Sequence, residues 1–248
     1  MGTRQKKIAD PQPVELDLPT KNKSGQLMYR KGEETRRRLV HATEELLKAK
    51  LFTELTVTEI ARCAGSSKPN FYLYFDGVMD VVLAAVQNVS MSTPEVLATV
   101  NRPWPAASID HCAQAFVHEY FKHWRANAHV LKVRTAMVAN GESRFMEAEI
   151  RATEVVLQAL TDKLEQARGP GKDTVQSPHP ASLAGAMLAL LERLAAVTIE
   201  PGLPSGITDA RVMQAAASLV AAGMGARIVS KAPSKPAGKA TRSSKGSV

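Results

Sequence analysis

The segment Thr56–Phe75, TVTEIARCAGSSKPNFYLYF, constrains the fold more than any other part of the chain. Its first threonine and Glu59 have the spacing of a capping box, which satisfies unpaired backbone amides where a helix begins. Gly65 suits the end of that helix because glycine tolerates a left-handed backbone. Ser66 and Ser67 are both candidates for capping a second helix, and Pro69 fits the first turn of that helix, where a missing amide costs nothing. Two short helices joined by a glycine turn are typical of a helix-turn-helix, a motif that reads DNA.

The remainder of the chain predicts helices and no strands. Its apolar residues recur at helical spacing, and we find no alternating apolar and polar runs separated by hairpin turns. The clearest helical pattern runs from Ile109 to Trp124 and includes a wide aromatic stripe. Three prolines over residues 93–108 predict helix breaks and a loop. The other predicted helices cover residues 31–50, 79–91, 128–139, 142–168, 181–200 and 208–230.

The positive charge is concentrated at the two ends of the chain. Of a formal net charge of +8, residues 1–40 carry +5 and residues 227–248 carry +6, so the body between them is slightly acidic. Residues 1–30 and 231–248 lack sustained apolar periodicity, and we expect a disordered basic arm and a disordered basic tail. Basic arms beside a DNA-reading motif favour binding to nucleic acid, because each neutralised phosphate releases counterions. Solvated tails that only keep the protein in solution are the alternative.

Several classes of function are disfavoured. No phosphate-binding loop, nucleophile motif or carboxylate pair stands out, so we expect no enzymatic activity and no cofactor. Four histidines between residues 111 and 129 lack cysteine or carboxylate partners at ligand spacing, so we expect no metal site. The most apolar stretch, Leu183–Ile199, contains Glu192 and Arg193, which argues against a membrane span. Cys63 and Cys112 indicate a reducing cytoplasm rather than a disulfide, and Cys63 is interpreted as a small buried hydrophobe.

Residues 33–90 resemble the N-terminal domain of the tetracycline-repressor (TetR) family of bacterial transcription regulators. The resemblance is carried by LVHATEELLKAKLFTEL and the segment that follows it, with Ala61, Ala64-Gly65, Ser67-Lys68, Phe71-Tyr72 and Tyr74-Phe75 at their present spacings. It implies an all-α protein, with a three-helix helix-turn-helix domain over residues 31–78. A C-terminal helical bundle for ligand binding and dimerisation is expected over residues 79–230. The FYLYF sequence, the aromatic helix and the LALLERLAAV segment further resemble the EthR-like subgroup.

The resemblance also implies which residues bind double-stranded DNA. Lys68 is expected to reach a guanine edge or a phosphate, and Asn70 to pair with adenine in the major groove. Consecutive arginines at the start of the first helix can follow a phosphate backbone, although a solvated helix face is the alternative. The predicted contacts are Thr56, Ser66, Ser67, Lys68, Asn70, Tyr72, Tyr74, Arg36 and Arg37. The family commonly has lysine where this chain has Val78, so the basic arm is a candidate for replacing one phosphate contact.

A pocket for a hydrophobic small-molecule effector is implied by the same resemblance. The candidate residues are bulky and mostly apolar, which suits such a pocket and equally suits an ordinary core. They are Phe116, Tyr120, Phe121, Trp124, Met137, Phe145, Met187 and Leu191. The last two predicted helices are rich in small residues, which favours a helix–helix interface between two subunits of a homodimer. Tight contacts inside one subunit are the alternative.

Together these observations predict a cytoplasmic, dimeric DNA-binding regulator that does not enter the membrane. We expect a repressor that binds a palindromic operator and is released by an apolar ligand. A ligand-independent architectural protein that binds DNA of any sequence is the alternative, favoured by the tail rich in lysine, alanine and proline.

Overall fold

The computed structural model describes residues 30–89, 91, 93–168, 178–198 and 207–225. Every regular element within these ranges is a helix, so the predicted all-α class is confirmed. The predicted arm, except for its last residue, and the predicted tail lie outside the described residues. Arg30, assigned to the arm, is the first residue of the first helix.

Ten α-helices follow one another in the described part of the chain. Single 3₁₀ turns at Phe52–Glu54 and Ala106–Ser108 precede the second and the sixth of these helices. The helices are α1 Arg30–Leu47, α2 Val57–Cys63, α3 Lys68–Phe71, α4 Val78–Asn88, α5 Pro94–Asn101, α6 Ile109–Ala126, α7 Ala128–Ala139, α8 Ser143–Arg168, α9 Pro180–Val197 and α10 Asp209–Gly223.

Helix α5 lies where the prolines predicted a loop, so that prediction was wrong in its first half. Thr93 caps the helix, because its hydroxyl accepts the Val96 amide over 3.3 Å. Pro94 is the first helical residue, a position where its missing amide has no helical partner. The other two prolines of the stretch follow the helix. A proline therefore marked a helix start here rather than a break.

The N-terminal helices enclose their own part of the core. Helix α1 packs against α2 and α4, and α2 packs against α3. Leu39, Ile60 and Phe71 are fully buried where these helices meet. Cys63 is exposed, so its interpretation as a buried residue was wrong. Helix α2 buries Ile60 and Ala61 instead.

The C-terminal helices form a larger bundle around α6. Helix α6 packs against α5, α9 and α10, and α8 packs against α9, α7 and α5. Helix α4 contacts α1 on one side and α7 and α8 on the other, and it buries six consecutive residues from Val81 to Val86. The helix that joins the two domains is therefore part of both cores.

Helix α9 is, by length and composition alone, apolar enough to cross a membrane. Its 18 residues have a mean hydropathy of 1.4, and a third of them are buried. Its buried face packs against α6, α8 and α10 in the bundle. A core helix passes the same test of length and hydropathy.

Candidate nucleic-acid interface and ligand-binding core

The turn between α2 and α3 is a Schellman motif around Gly65. The Ser66 amide donates to the Ala61 carbonyl over 2.8 Å, and the Gly65 amide donates to the Arg62 carbonyl over 3.1 Å. Gly65 has a φ of 61°. That left-handed conformation costs other residues roughly 1–2 kcal/mol. The predicted glycine turn is confirmed, and it sets the direction in which α3 leaves α2.

Hydroxyl side chains cap both helices of the motif. Thr56 Oγ1 accepts the Glu59 amide over 3.2 Å, and Ser67 Oγ accepts the Asn70 amide over the same distance. The Glu59 carboxylate pairs with Lys50 Nζ over 2.6 Å, and this hydrogen bond raises the pKa of Lys50. The predicted capping hydroxyls of Thr56 and Ser67 are confirmed. The predicted capping box is formed only in part, because the Glu59 carboxylate pairs with Lys50.

The residues in and after α3 present a mixed polar and apolar surface, here called the reading surface. Lys68 and Ser67 are exposed, and Tyr72 is 43% exposed. Leu73 is 51% exposed and was missed by the sequence analysis, since a leucine between two tyrosines gives no signal of exposure. The reading surface comprises Ser66, Ser67, Lys68, Asn70, Tyr72, Leu73 and Tyr74, of which Ser66, Asn70 and Tyr74 are half-buried.

Asn70 is held by a neighbouring side chain. Its Nδ2 donates to Ser66 Oγ over 2.7 Å, which fixes the orientation of the amide group. The carboxamide oxygen keeps its capacity to accept further hydrogen bonds. Bidentate pairing with adenine uses the amide oxygen and one of the two amide hydrogens, so Asn70 can keep its bond to Ser66 through the other hydrogen.

The two arginines predicted to follow a phosphate backbone lie in different environments. The Arg36 guanidinium stands 5.4 Å from the centre of the Phe75 ring, so it holds α1 against the end of the motif. Arg37 is exposed. Thr56, the remaining predicted contact, is also exposed at the start of α2. DNA contact by these residues stays a prediction.

All eight residues predicted to contact an effector lie in the core of the C-terminal bundle. Helix α6 contributes four of them, α7 and α8 one each, and α9 two. Each is at most 6% exposed, and all belong to one continuous cluster of buried residues. The structure thus brings the predicted residues together, and their role as ligand contacts stays a prediction because a plain core would bury them equally well.

A charged group lies inside this core. Among the described residues, Arg134 of α7 is the one charged residue that is buried. Its Nη2 hydrogen-bonds to the Glu192 carboxylate of α9 and lies 3.8 Å from Glu149 Oε1 of α8. We call these three residues the Arg134 cluster. Arg134 was not among the residues predicted from the sequence, although its spacing from Leu131 and Met137 places it on the buried face of α7.

Four polar atoms of this core are buried without a hydrogen-bond partner. They are the Tyr120 hydroxyl, Trp124 Nε1 and two nitrogens of Arg134, Nε and Nη1. Burial raises the pKa of the Tyr120 hydroxyl, and the nearby charge of Glu192 raises it further. The hydroxyl therefore keeps its proton and can donate it in a hydrogen bond. The pKa of Glu149 is also raised, first by burial and then by the charge of Glu192.

An open groove of about 650 Å³ separates the end of α1 from α7. Its walls come from residues 47–54 and from α7, and none of the eight predicted effector contacts lines it. Burial lowers the pKa of His129 in this groove, and the charge of Lys48 lowers it further. The groove and the Arg134 cluster are therefore two separate features that share α7.

Hydrogen bonds connect the bundle to the end of the reading surface through α4. Asp80 Oδ1 accepts from Arg144 Nη1 of α8 over 2.8 Å, while Asp80 Oδ2 accepts the Asp76 amide over 3.0 Å. Farther along, the Met91 amide donates to the Ala152 carbonyl of α8 over 2.9 Å. A displacement of α8 would therefore act directly on α4 and on the residue that follows Phe75.

Comparison with known proteins connects this architecture to a family. Residues 96–231, more than half of the chain, match the model of the tetracyclin repressor-like C-terminal domain. The chain belongs to the TetR family. A search of curated proteins gives no match. The match covers the bundle that holds the Arg134 cluster, whereas the resemblance read from the sequence lay in the N-terminal domain.

Solved structures of transcription regulators share the fold. The fatty acid degradation regulator FadR from Bacillus halodurans aligns with a TM-score of 0.57 at 15% identity, over 78% of this chain and 97% of its own. A TetR-family regulator from Streptomyces coelicolor aligns with a TM-score of 0.53 at 20% identity, over 78% and 81%. One from Syntrophomonas wolfei aligns with a TM-score of 0.55 at 12% identity, over 80% and 99%. The EthR-like subgroup is not identified by these comparisons.

Proposed function

We propose that this TetR-family protein is a repressor that binds a palindromic operator as a homodimer and is released by a small-molecule effector. The observation that carries the proposal is the reading surface. A capped helix-turn-helix presents Ser67, Lys68 and Tyr72 to solvent, while Phe71 and Phe75 anchor it to the core. Donors of this kind contact base edges and phosphates when such a helix lies in the major groove.

The outer faces of α9 and α10 support dimerisation. Ala186, Ala189 and Ala215 are exposed, and Leu219 is 50% exposed. Small exposed residues on neighbouring helices let a second pair of helices approach closely, and two-fold symmetry then matches two half-sites. Other small residues serve packing inside the subunit, because a Cβ built on Gly223 would lie 2.0 Å from Met187 Cε. Packing inside the subunit therefore accounts for Gly223, and the subunit interface is proposed for the exposed small residues on the outer face.

Release from DNA requires that the effector favours one of two conformations. An effector bound among α6, α7, α8 and α9 would shift α8, and the Arg144–Asp80 pair would carry that shift to α4. The two reading surfaces would then no longer match the half-sites. A differential affinity of about a few kcal/mol between the two conformations is enough to empty the operator.

Selection of bound duplexes from random DNA tests the proposal. A short palindromic consensus supports a dimeric reader of defined sequence. Affinity for DNA without any consensus would contradict it and favour the architectural alternative. A protein that retains no duplex at all would contradict both.

A further inference from the structure

We propose that the effector carries an uncharged oxygen acceptor, a carbonyl or hydroxyl group on an otherwise apolar molecule, and that this oxygen accepts hydrogen bonds from Tyr120 and Arg134. The inference rests on the proposed function, in which the C-terminal bundle binds a small molecule. It goes further by naming the chemistry of one end of that molecule.

The unpartnered polar groups in this core are all hydrogen-bond donors. The Tyr120 hydroxyl, the Trp124 indole nitrogen and two nitrogens of Arg134 are buried, and both aromatic residues and Arg134 are fully inaccessible. Buried polar groups in folded proteins almost always have a partner, so several unpaired donors in one core need an explanation. An acceptor brought in by a ligand would satisfy them.

Tyr120 and Arg134 belong to the same local environment. Helix α6, which carries Tyr120, packs against α9, and Glu192 of α9 hydrogen-bonds to Arg134. Trp124 lies one helical turn after Tyr120 and is buried with it on α6. The donors therefore lie on α6 and α7, and α9 connects them, because it packs against α6 and pairs with Arg134.

The charge balance of the Arg134 cluster favours a neutral oxygen over a carboxylate. Arg134 already hydrogen-bonds to Glu192, which is 14% exposed, and Glu149 lies near the same guanidinium nitrogen. A ligand carboxylate would compete with Glu192 and leave a buried negative charge uncompensated, which is costly in the interior. Glu149 would add repulsion whenever it is ionised.

A ligand ammonium is disfavoured for a different reason. The unpartnered atoms of Arg134 and Trp124 are donors only, so they cannot accept a hydrogen bond from an ammonium group. The rest of the ligand should be apolar, because the Phe116 ring lies 6.0 Å from the Tyr120 ring and Leu191, next to Glu192 on α9, is buried. A ketone, ester, lactone or alcohol on a hydrocarbon frame meets both conditions.

Four probes with one carbon skeleton test this inference: octane, methyl hexyl ketone, octanoate and octylammonium. Calorimetric titration of the full chain without DNA gives the affinity for each. We expect the ketone to bind at least tenfold more tightly than the other three. Equal affinity for octane and the ketone, a preference for octanoate or octylammonium, or the absence of binding by all four would each overturn the inference.

The Tyr120→Phe variant identifies the donor. It keeps the ring and removes only an unpartnered hydroxyl, so the fold is expected to persist and the Tm without ligand to stay the same or rise. We expect at least a fivefold loss of ketone affinity with no change for octane. Unchanged ketone affinity would overturn the assignment of Tyr120. The selection of operator DNA is a separate measurement. If it gives a palindromic consensus but the four probes do not bind as expected, this inference is rejected and the proposed DNA binding still stands.

Discussion

Lys68 and Asn70 both belong to the reading surface, but they are prepared for DNA in different ways. Asn70 is oriented by its 2.7 Å hydrogen bond to Ser66, whereas Lys68 is an exposed side chain at the first position of α3. A flexible lysine supplies charge and reach, and an oriented amide supplies direction. We therefore expect Lys68 to contribute mainly to the affinity for DNA and Asn70 mainly to the specificity.

The Lys68→Ala variant is expected to weaken operator binding. Loss of a base contact costs about 1–3 kcal/mol, or roughly fivefold to 150-fold in affinity. Lys122→Ala is the matched control, because Lys122 is exposed on α6 and pairs with Glu119. Fluorescence anisotropy with a labelled operator measures both. Equal affinities for the two variants would remove Lys68 from the interface.

Glu149 is expected to make stability depend on pH. Its pKa is raised above the ordinary value of 4.5, so the folded protein holds a proton that the unfolded chain releases. The resulting stabilisation is complete below pH 4.5 and is lost as the pH rises through the folded-state pKa. Glu149→Gln should remove this dependence, whereas Glu147→Gln, at an exposed site on the same helix, should keep it. Urea unfolding across this pH range measures the free energy of unfolding. Parallel pH profiles of that free energy for the wild type and the Glu149 variant would contradict the expectation.

At the scale of helices, the sequence predicted the elements whose ends carry clear signals. Helix α7 begins and ends at the predicted residues, and α2 and α3 have their predicted caps and glycine turn. Helix α5 was missed because a proline at a helix start was interpreted as a break. Local sequence does not distinguish these two uses of proline without the capping contact made by Thr93.

Gly65→Ala is expected to destabilise the N-terminal domain. Alanine at a φ of 61° is strained, and the cost should be roughly 1–2 kcal/mol. The added Cβ itself has room, since its nearest contact is Arg38 Nη1 at 3.8 Å. Gly185→Ala is the control, because it lies inside α9 with open space around it and should stabilise by about 0.5–1 kcal/mol. Chemical denaturation gives both values, and equal effects would show that the turn does not depend on glycine.

At the scale of the whole molecule, the sequence predicted the class and the two-part organisation but not the interior of the bundle. The eight predicted effector contacts do lie together. Arg134 was missed because one arginine among apolar residues reads locally as a surface group, and its partners come from α8 and α9. Contacts between residues far apart in sequence determine whether such a group is buried, so periodicity alone could not assign its partners.

The outer face of α10 is expected to mediate dimerisation. Leu219→Glu places a charge on this face and should convert the dimer to a monomer with weaker operator binding. Ile150→Glu is the control, since Ile150 is a 60% exposed apolar residue on α8. Analytical ultracentrifugation distinguishes the two variants. Dissociation by the Ile150 variant and not by the Leu219 variant would move the interface to α8.

The spacing of operator half-sites tests the central claim most directly. The affinity of the full chain is measured for the selected operator and for the same operator with half a helical turn, about 5 base pairs, inserted at its centre. Two reading surfaces fixed in one dimer cannot reach half-sites on opposite faces of the duplex. We predict at least a tenfold loss of affinity for the lengthened operator. Equal affinity for the two duplexes would contradict the account of a dimer that reads a palindrome.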